Sequence, residues 1–166
     1  MKTTKKQNQT LCEKYPFLIP RNAWSGKKIT DGKGYWPQSP DEEPKYNYEF
    51  TALDEMPDGW RIAFGEKICE ELRIALEKTG HLNDYYPVQI KEKFGQLRFY
   101  TNFSTKETEA IIDKYTAISE KTCIKCGKPA TQITQGWISP FCDKCVPEYN
   151  GQKHKTIPIE KWFEKN

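Results

Sequence analysis

Cys123-Ile124-Lys125-Cys126 is answered, after a gap of fifteen residues, by Cys142-Asp143-Lys144-Cys145. Two Cys-x-x-Cys pairs at this separation suit one tetrahedral zinc site, because each pair makes a tight knuckle and the segment between them holds a single hairpin. Gly127 gives the first knuckle the permissive backbone its turn needs. Thr131-Gln132-Ile133-Thr134 and Trp137-Ile138 are the expected short strands on either side of Gln135-Gly136. The reading is a zinc ribbon in which Cys123, Cys126, Cys142 and Cys145 ligate one Zn2+ ion. Four thiolates close the coordination sphere, so the ion is structural and no position is left for an activated water.

The competing reading of these cysteines is a pair of disulfides, or unrelated buried thiols. The opening stretch Met1-Lys2-Thr3-Thr4-Lys5-Lys6-Gln7-Asn8-Gln9 has basic residues but no apolar core of a signal peptide. A reducing cytoplasm is therefore the expected setting, and it disfavours disulfides. Iron is the lesser option for a sulfur-only site. Cys12 and Cys69 fall outside the pattern and are expected to be buried free thiols.

Upstream of the cysteines, Ser104-Thr105-Lys106-Glu107 reads as a capping box, with Ile111, Tyr115 and Ile118 on the buried face of a helix running to about Glu120. Before it, Tyr86 to Tyr100 reads as a hairpin turning near Gly95, with Val88, Ile90, Leu97 and Phe99 inward and Lys91, Arg98 and Tyr100 on the other face. A longer helix is signalled by Asp58 as N-cap, by Trp60, Phe64, Ile68, Leu72 and Leu76 at every fourth position, and by Gly80 as the stop. That stripe is core packing. Tyr46-Asn47-Tyr48-Glu49-Phe50 alternates like a half-buried strand. The glycine- and proline-punctuated stretch 25–44 reads as one long loop, with Tyr35 and Trp36 in it. Tyr15 to Pro20 is an extended apolar anchor between prolines, and residues 1–14 are expected to be a flexible start. The expected fold class is α+β: a small antiparallel sheet or hairpin packed with two main helices over 15–121, a zinc ribbon over 122–146, and a tail over 147–166.

A chain of 166 residues can bury one core plus a metal-held appendage too small to stand without its ion. The formal charge of +3 and pI near 8.4 impose no global field demanding nucleic acid. There is no apolar run long enough for a membrane span.

Four segments carry a resemblance: Pro16 to Asn22, Met56 to Arg61, Gln89 to Tyr100, and Thr122 to Gly127 with Gly136 to Cys142. Together they resemble a group of bacteriophage and prophage proteins of uncharacterised activity, over roughly Tyr15 to Cys145. The likeness implies a small phage-encoded cytoplasmic zinc protein, and it brings no mechanism with it.

Catalytic constellations are sparse. His81 follows Gly80 at a helix end, where capping or dipole placement accounts for it, and His154 lies in a basic tail. A zinc deaminase needs a His-x-Glu ligand segment and Pro-Cys-x-x-Cys, whereas Phe141 precedes Cys142 here. No Gly-x-Ser-x-Gly elbow or phosphate-binding glycine loop is present, and Asp41-Glu42-Glu43 reads as a solvated charge run. The expectation is a non-enzymatic binding protein.

Nucleic acid is the leading partner, because Lys91, Lys93, Phe94, Arg98 and Tyr100 place cations and aromatics on one hairpin. Lys93 to Phe99 is similar to the first RNP signature of RRM domains, but lacks its glycine between the basic and aromatic residues and has Gln96 where an aromatic is expected. An ordinary amphipathic hairpin reads the same way. A host protein is the alternative, with Tyr35-Trp36 and the tail Ile157 to Phe163 as aromatic anchors. A small anionic nucleotide is the third, held by Arg21, Lys27, Lys28 and Arg98 if they converge.

Overall fold

The computed structural model describes residues 3–22, 26–28 and 46–164. It has mixed helices and small antiparallel sheets, the α+β class expected. Among the described residues no helix is long and apolar enough to cross a membrane. Most of the 25–44 loop, with Tyr35, Trp36 and the acidic run, lies outside the described residues.

The long helix α2 runs as Asp58–Trp60, a wide π turn Arg61–Gly65, and Glu66–Thr79. Its irregularity follows from the apolar stripe. With 3.6 residues per turn, every fourth residue advances about 40°, so the four steps from Trp60 to Leu76 would carry the stripe about 160° round a regular helix. The wide turn takes back part of that rotation, and all five stripe residues are buried. Pro57, not Asp58, is the N-cap, and Asp58 is the first helical residue. Gly80 ends the helix in the left-handed region, with its N–H on Glu77 O and the His81 N–H on Leu76 O. This pair of bonds is a Schellman cap, so His81 belongs to the helix stop, as its position suggested. Its ring meets Phe103 edge-on at 5.4 Å.

Strands β1 (Pro87–Lys93) and β2 (Gln96–Thr101) pair antiparallel, with Ile90 opposite Phe99 and Lys91 opposite Arg98. Phe94 and Gly95 both have positive φ, the conformation a two-residue hairpin turn requires. Ile90, Leu97 and Phe99 are buried as expected, but Val88 is exposed: the register slips between Pro87 and Gln89 and takes Val88 off the inner face. Both edges of this two-stranded sheet are covered by side chains. Ile90 N–H donates to Glu55 Oε2 at 2.8 Å, while Leu97 N–H donates to Ser119 Oγ at 2.8 Å and Leu97 O accepts from Thr116 Oγ1 at 3.3 Å.

Thr116 and Ser119 belong to helix α3 (Lys106–Ser119), which packs on β2 and α2. Its capping box uses Thr105 with Thr108, one residue later than the spacing of Ser104 and Glu107 suggested. Tyr115 is buried as expected and Ile111 packs partly buried against the core, but Ile118 is exposed; Thr108 and Ser119 complete that face. A polar face here fits its neighbour, because Ser119 is needed to satisfy the edge of β2.

Of the segment 1–14 expected to be flexible, residues 5–14 form a capped helix. Helix α1 (Lys5–Lys14) is capped by Thr4, whose hydroxyl accepts from Gln7 N while Gln7 returns its side chain to Thr4 N. Polarity here serves docking: Asn8 is fully buried and donates to Tyr48 O at 3.0 Å, and Cys12 lies in the core. Pro16–Leu18 anchors the segment by burying Phe17 and Leu18, but as a single 3₁₀ turn instead of an extended segment. The strand expected at Tyr46–Phe50 is not formed either. Tyr48 adopts φ +59, Asn47 Oδ1 accepts from Glu49 N, and the rings of Tyr48 and Phe50 each meet Tyr46 edge-on, so the aromatic alternation serves a folded turn.

The ribbon hairpin consists of β3 (Gln132–Thr134) and β4 (Pro140–Phe141). Its second strand thus lies beyond Trp137-Ile138, which form the connecting loop. Residues 147–164, expected as a tail, form further strands and a short helix. β5 (Glu148–Tyr149) and β6 (Gln152–Lys153) make a small hairpin about Asn150-Gly151, both at positive φ. β7 (Thr156–Pro158) then pairs with β3, giving a three-stranded sheet in the order β4-β3-β7, and helix α4 (Ile159–Phe163) follows.

Candidate metal centre and basic hairpin face

The first knuckle is built by backbone geometry. Cys123 N–H donates to Lys128 O at 2.7 Å and Gly127 N–H to Cys123 O at 2.9 Å, with Gly127 at φ +76. The second knuckle is a tighter turn, with Cys145 N–H donating to Cys142 O at 2.9 Å. Between its cysteines, Asp143 accepts from Thr131 Oγ1 at 2.8 Å and Gln132 Nε2 at 3.1 Å, which fixes it to β3 and holds its carboxyl below the usual range.

These turns bring the four ligand atoms of Cys123, Cys126, Cys142 and Cys145 within 4.8 Å of one another. The Cys126 and Cys142 sulfurs are 3.7 Å apart. A disulfide needs about 2.0 Å, whereas a tetrahedron with metal–sulfur bonds of about 2.3 Å has edges of about 3.8 Å. All the cysteines are free thiols. The Lys128 N–H, the largest influence on Cys126, pulls its thiol down to about 7; burial pushes Cys145 up to about 12 and raises Cys123. Thiolates packed this closely repel one another, so a cation among them is what makes full ionisation stable. The arrangement can hold one metal ion and leaves it no open position.

The cysteine cluster is not an appendage. Gly59, in the first turn of α2, donates to Ile124 O at 2.9 Å, and the indole of Trp60 donates to Thr122 O at 3.0 Å. A Cβ on Gly59 would stand 2.2 Å from Cys123 O, and one on Gly127 would stand 2.6 Å from Gly59 O. Two glycines thus allow backbone to press on backbone, and Ile124 packs against the main core. Sequence reading located the four cysteines but missed this docking. The signal present was Gly59, an unfavourable residue in an otherwise strong helix.

Cys12 and Cys69 lie in the core, away from this cluster. Burial pushes Cys12 up to about 12 and raises Cys69 further, which keeps both as protonated thiols.

On the hairpin, Lys91, Lys93, Arg98 and Tyr100 share the outer face by register, and Phe94 occupies the turn with 67% of its surface exposed. Lys91 and Arg98 are direct cross-strand partners. Among the described residues no carboxylate pairs with Lys91, Lys93 or Arg98. Nearby acids are engaged elsewhere: Glu92 accepts from Gly95 N at 2.6 Å, Glu55 from Ile90 N, and Glu120 from Gln96. The lysines instead sit over rings, Lys91 Nζ 5.7 Å from the centroid of Tyr100 and Lys93 Nζ 5.5 Å from that of Phe94.

The other candidate residues are occupied structurally. Arg21 donates to Gly26 O and Asn83 O and lies over Tyr86, and it forms an isolated bridge with Lys28. Of the tail anchors, Ile157 pairs with Ile133, and Phe163 lies beneath Lys121. Comparison with protein-family models, curated proteins and solved structures returned no match.

Proposed function

We propose that this chain is a non-catalytic binding protein whose four cysteines hold one structural zinc ion and whose β1–β2 face binds single-stranded nucleic acid. The observation that carries the second half is the Lys91–Arg98 pair. Like charges placed directly opposite across two strands destabilise a hairpin, on the scale of the roughly 0.2–1 kcal/mol of a cross-strand pair, and among the described residues no carboxylate pairs with either to offset the cost. An anionic backbone along this face would supply the missing countercharge.

Magnitudes favour displacement of the resting contacts. Exposed lysine-on-ring contacts contribute about 0.5–1 kcal/mol, whereas a base stacked on the same ring contributes about 1–3 kcal/mol. Phe94 and Tyr100 are exposed and so open to a base. Zinc fits the donor set because four thiolates in a tetrahedron suit a soft, geometrically undemanding ion, with iron as the lesser alternative. Its contribution when bound is a cross-link, since the closed sphere admits no substrate. The resemblance to phage proteins supports an infected bacterial cytoplasm as the setting and host or phage nucleic acid as the target.

The test is a filter assay with single-stranded RNA and DNA at several salt concentrations. Replacing Lys91, Lys93 and Arg98 together by glutamine is expected to weaken binding and to lower the salt slope by about 0.7 for each phosphate no longer neutralised. Absence of salt-sensitive binding by the native protein overturns the reading and turns attention to a host protein or a small anionic nucleotide.

A further inference from the structure

We propose that the ribbon loop completes the hairpin's binding face: Trp137 and Phe94, exposed at adjoining tips, form a stacking platform for unpaired bases of single-stranded nucleic acid. The inference rests on the reading of β1–β2 as a nucleic-acid face and adds a second element to it.

The two tips touch. A Cβ on Gly95 would stand 3.4 Å from Ile138 Cγ2 and 3.6 Å from Pro140 Cδ, so the turn of the hairpin is seated on the ribbon loop. Phe94 immediately precedes that contact and Trp137 immediately precedes Ile138. The Trp137 side chain is nevertheless 76% exposed, the highest value among the exposed large apolar residues. A tryptophan on a loose loop would carry little meaning, but this loop is held from beneath. Thr134 is buried, and its hydroxyl donates to Trp137 O at 2.5 Å and accepts from Ser139 N at 3.1 Å, while Thr134 N–H donates to Ser139 O at 3.1 Å. On the other side of the indole Gln135 N–H donates to Lys155 O at 2.9 Å, so the backbone that presents the ring is fixed before and after it, which reduces the entropy lost when a base stacks on it.

Charge and aromaticity meet at this end of the hairpin. Lys91 and Arg98 lie midway along the strands, Lys93 lies beside the turn, Phe94 occupies the turn, and the ribbon loop that carries Trp137 lies against it. Cations that follow a backbone and rings that receive successive bases are the two components of sequence-tolerant single-strand binding. A double helix keeps its bases stacked on each other and has no free base faces for such rings, so duplex is expected to bind by charge alone.

The probe is a fluorescein-labelled oligothymidylate of about 15 nucleotides, titrated at low and moderate salt. Trp137→Ala is expected to weaken binding about five- to tenfold, the lower part of what one stacked base contributes, with the salt slope unchanged. Trp137→Phe should recover most of the loss. Indole fluorescence should fall on binding in the native protein, with that fall reduced in Trp137→Phe. Metal content and melting temperature serve as fold controls, since the side chain is exposed. If Trp137→Ala binds like the native protein while the Lys91/Lys93/Arg98 variant is weakened, the platform is refuted and the hairpin reading stands. If the native protein shows no salt-sensitive binding, both fall.

Discussion

Placing a methyl group on Gly59 should loosen the main helix and the metal centre together. The new Cβ would lie 2.2 Å from Cys123 O and 2.6 Å from both the carbonyl carbon and the oxygen of Ile124. A carbon and an oxygen need about 3.3 Å, so an overlap of about 1.1 Å must be relieved between two backbones that have no rotamer to change. Separation by that amount stretches the 2.9 Å bond from Gly59 N–H to Ile124 O to about 4.0 Å, beyond hydrogen bonding, and strains the Trp60 bond to Thr122. Overpacking costs about 1–3 kcal/mol and the two buried bonds about 1 kcal/mol each; alanine's better helix propensity returns about 1 kcal/mol. The net loss is about 2–4 kcal/mol, which for a chain of this size lowers the melting temperature by roughly 5–15 °C. Gly80→Ala is the control, because nothing lies within 4 Å of its Cβ and only the strain of φ +74 applies. Both variants would be melted by circular dichroism and challenged with a chromophoric chelator. Gly59→Ala should release metal faster than the native protein and Gly80→Ala should not. A Gly59→Ala protein that melts and holds metal like the native one would refute the docking account.

Two further outcomes follow from the same structure. Freshly purified protein should contain one zinc per chain by elemental analysis, and Cys126→Ser should lose it and become protease-sensitive between 122 and 146, because apo metal modules seldom keep their fold; metal-free protein with mapped disulfides would sink the site. Glu70 gives the acid limb of stability: Arg73, then Lys14 and the Tyr15 hydroxyl, hold its carboxyl down at about 2. A depressed folded value means that the contribution is present above the unfolded carboxylate range near 4.5 and is lost as pH falls toward 2, so Glu70→Gln should flatten the acid melting profile over that window, and an unchanged profile would show that the network contributes nothing.

Legibility in the sequence tracked how local each signal is. The cysteine spacing foretold the clustering of the four thiols because side chains in Cys-x-x-Cys pairs are fixed by their own turns. The α2 stripe was equally plain, yet its π turn was foreshadowed only by the strict spacing of four from Trp60 to Leu76, which a regular helix cannot keep on one face. Tyr46 to Phe50 misled because alternation records where rings point and not whether an edge is available for pairing; Tyr48 at φ +59 excludes a strand. Residues 3–14 misled for the opposite reason, since a polar helix can be held by Asn8 and Cys12 with little apolar surface. Asn150-Gly151 was a legible hairpin signal that composition alone obscured, and the pairing of β7 with β3 depends on contacts that no local pattern encodes.

The contact between Trp60 and Thr122 joins residues 62 positions apart in the chain. During synthesis the first turn of α2 therefore exists for some time without the knuckle that covers it, and the indole N–H has no backbone partner until the cysteine segment emerges. Closing so large a loop is entropically costly, and a metal clip at its far end is among the most effective ways to hold it closed. With the ion bound as proposed, metal supply would bear on biogenesis as well as on the finished molecule: a chain made in a metal-starved cell would present Trp60 and its neighbours to chaperones and proteases for longer, and its abundance would register the scarcity.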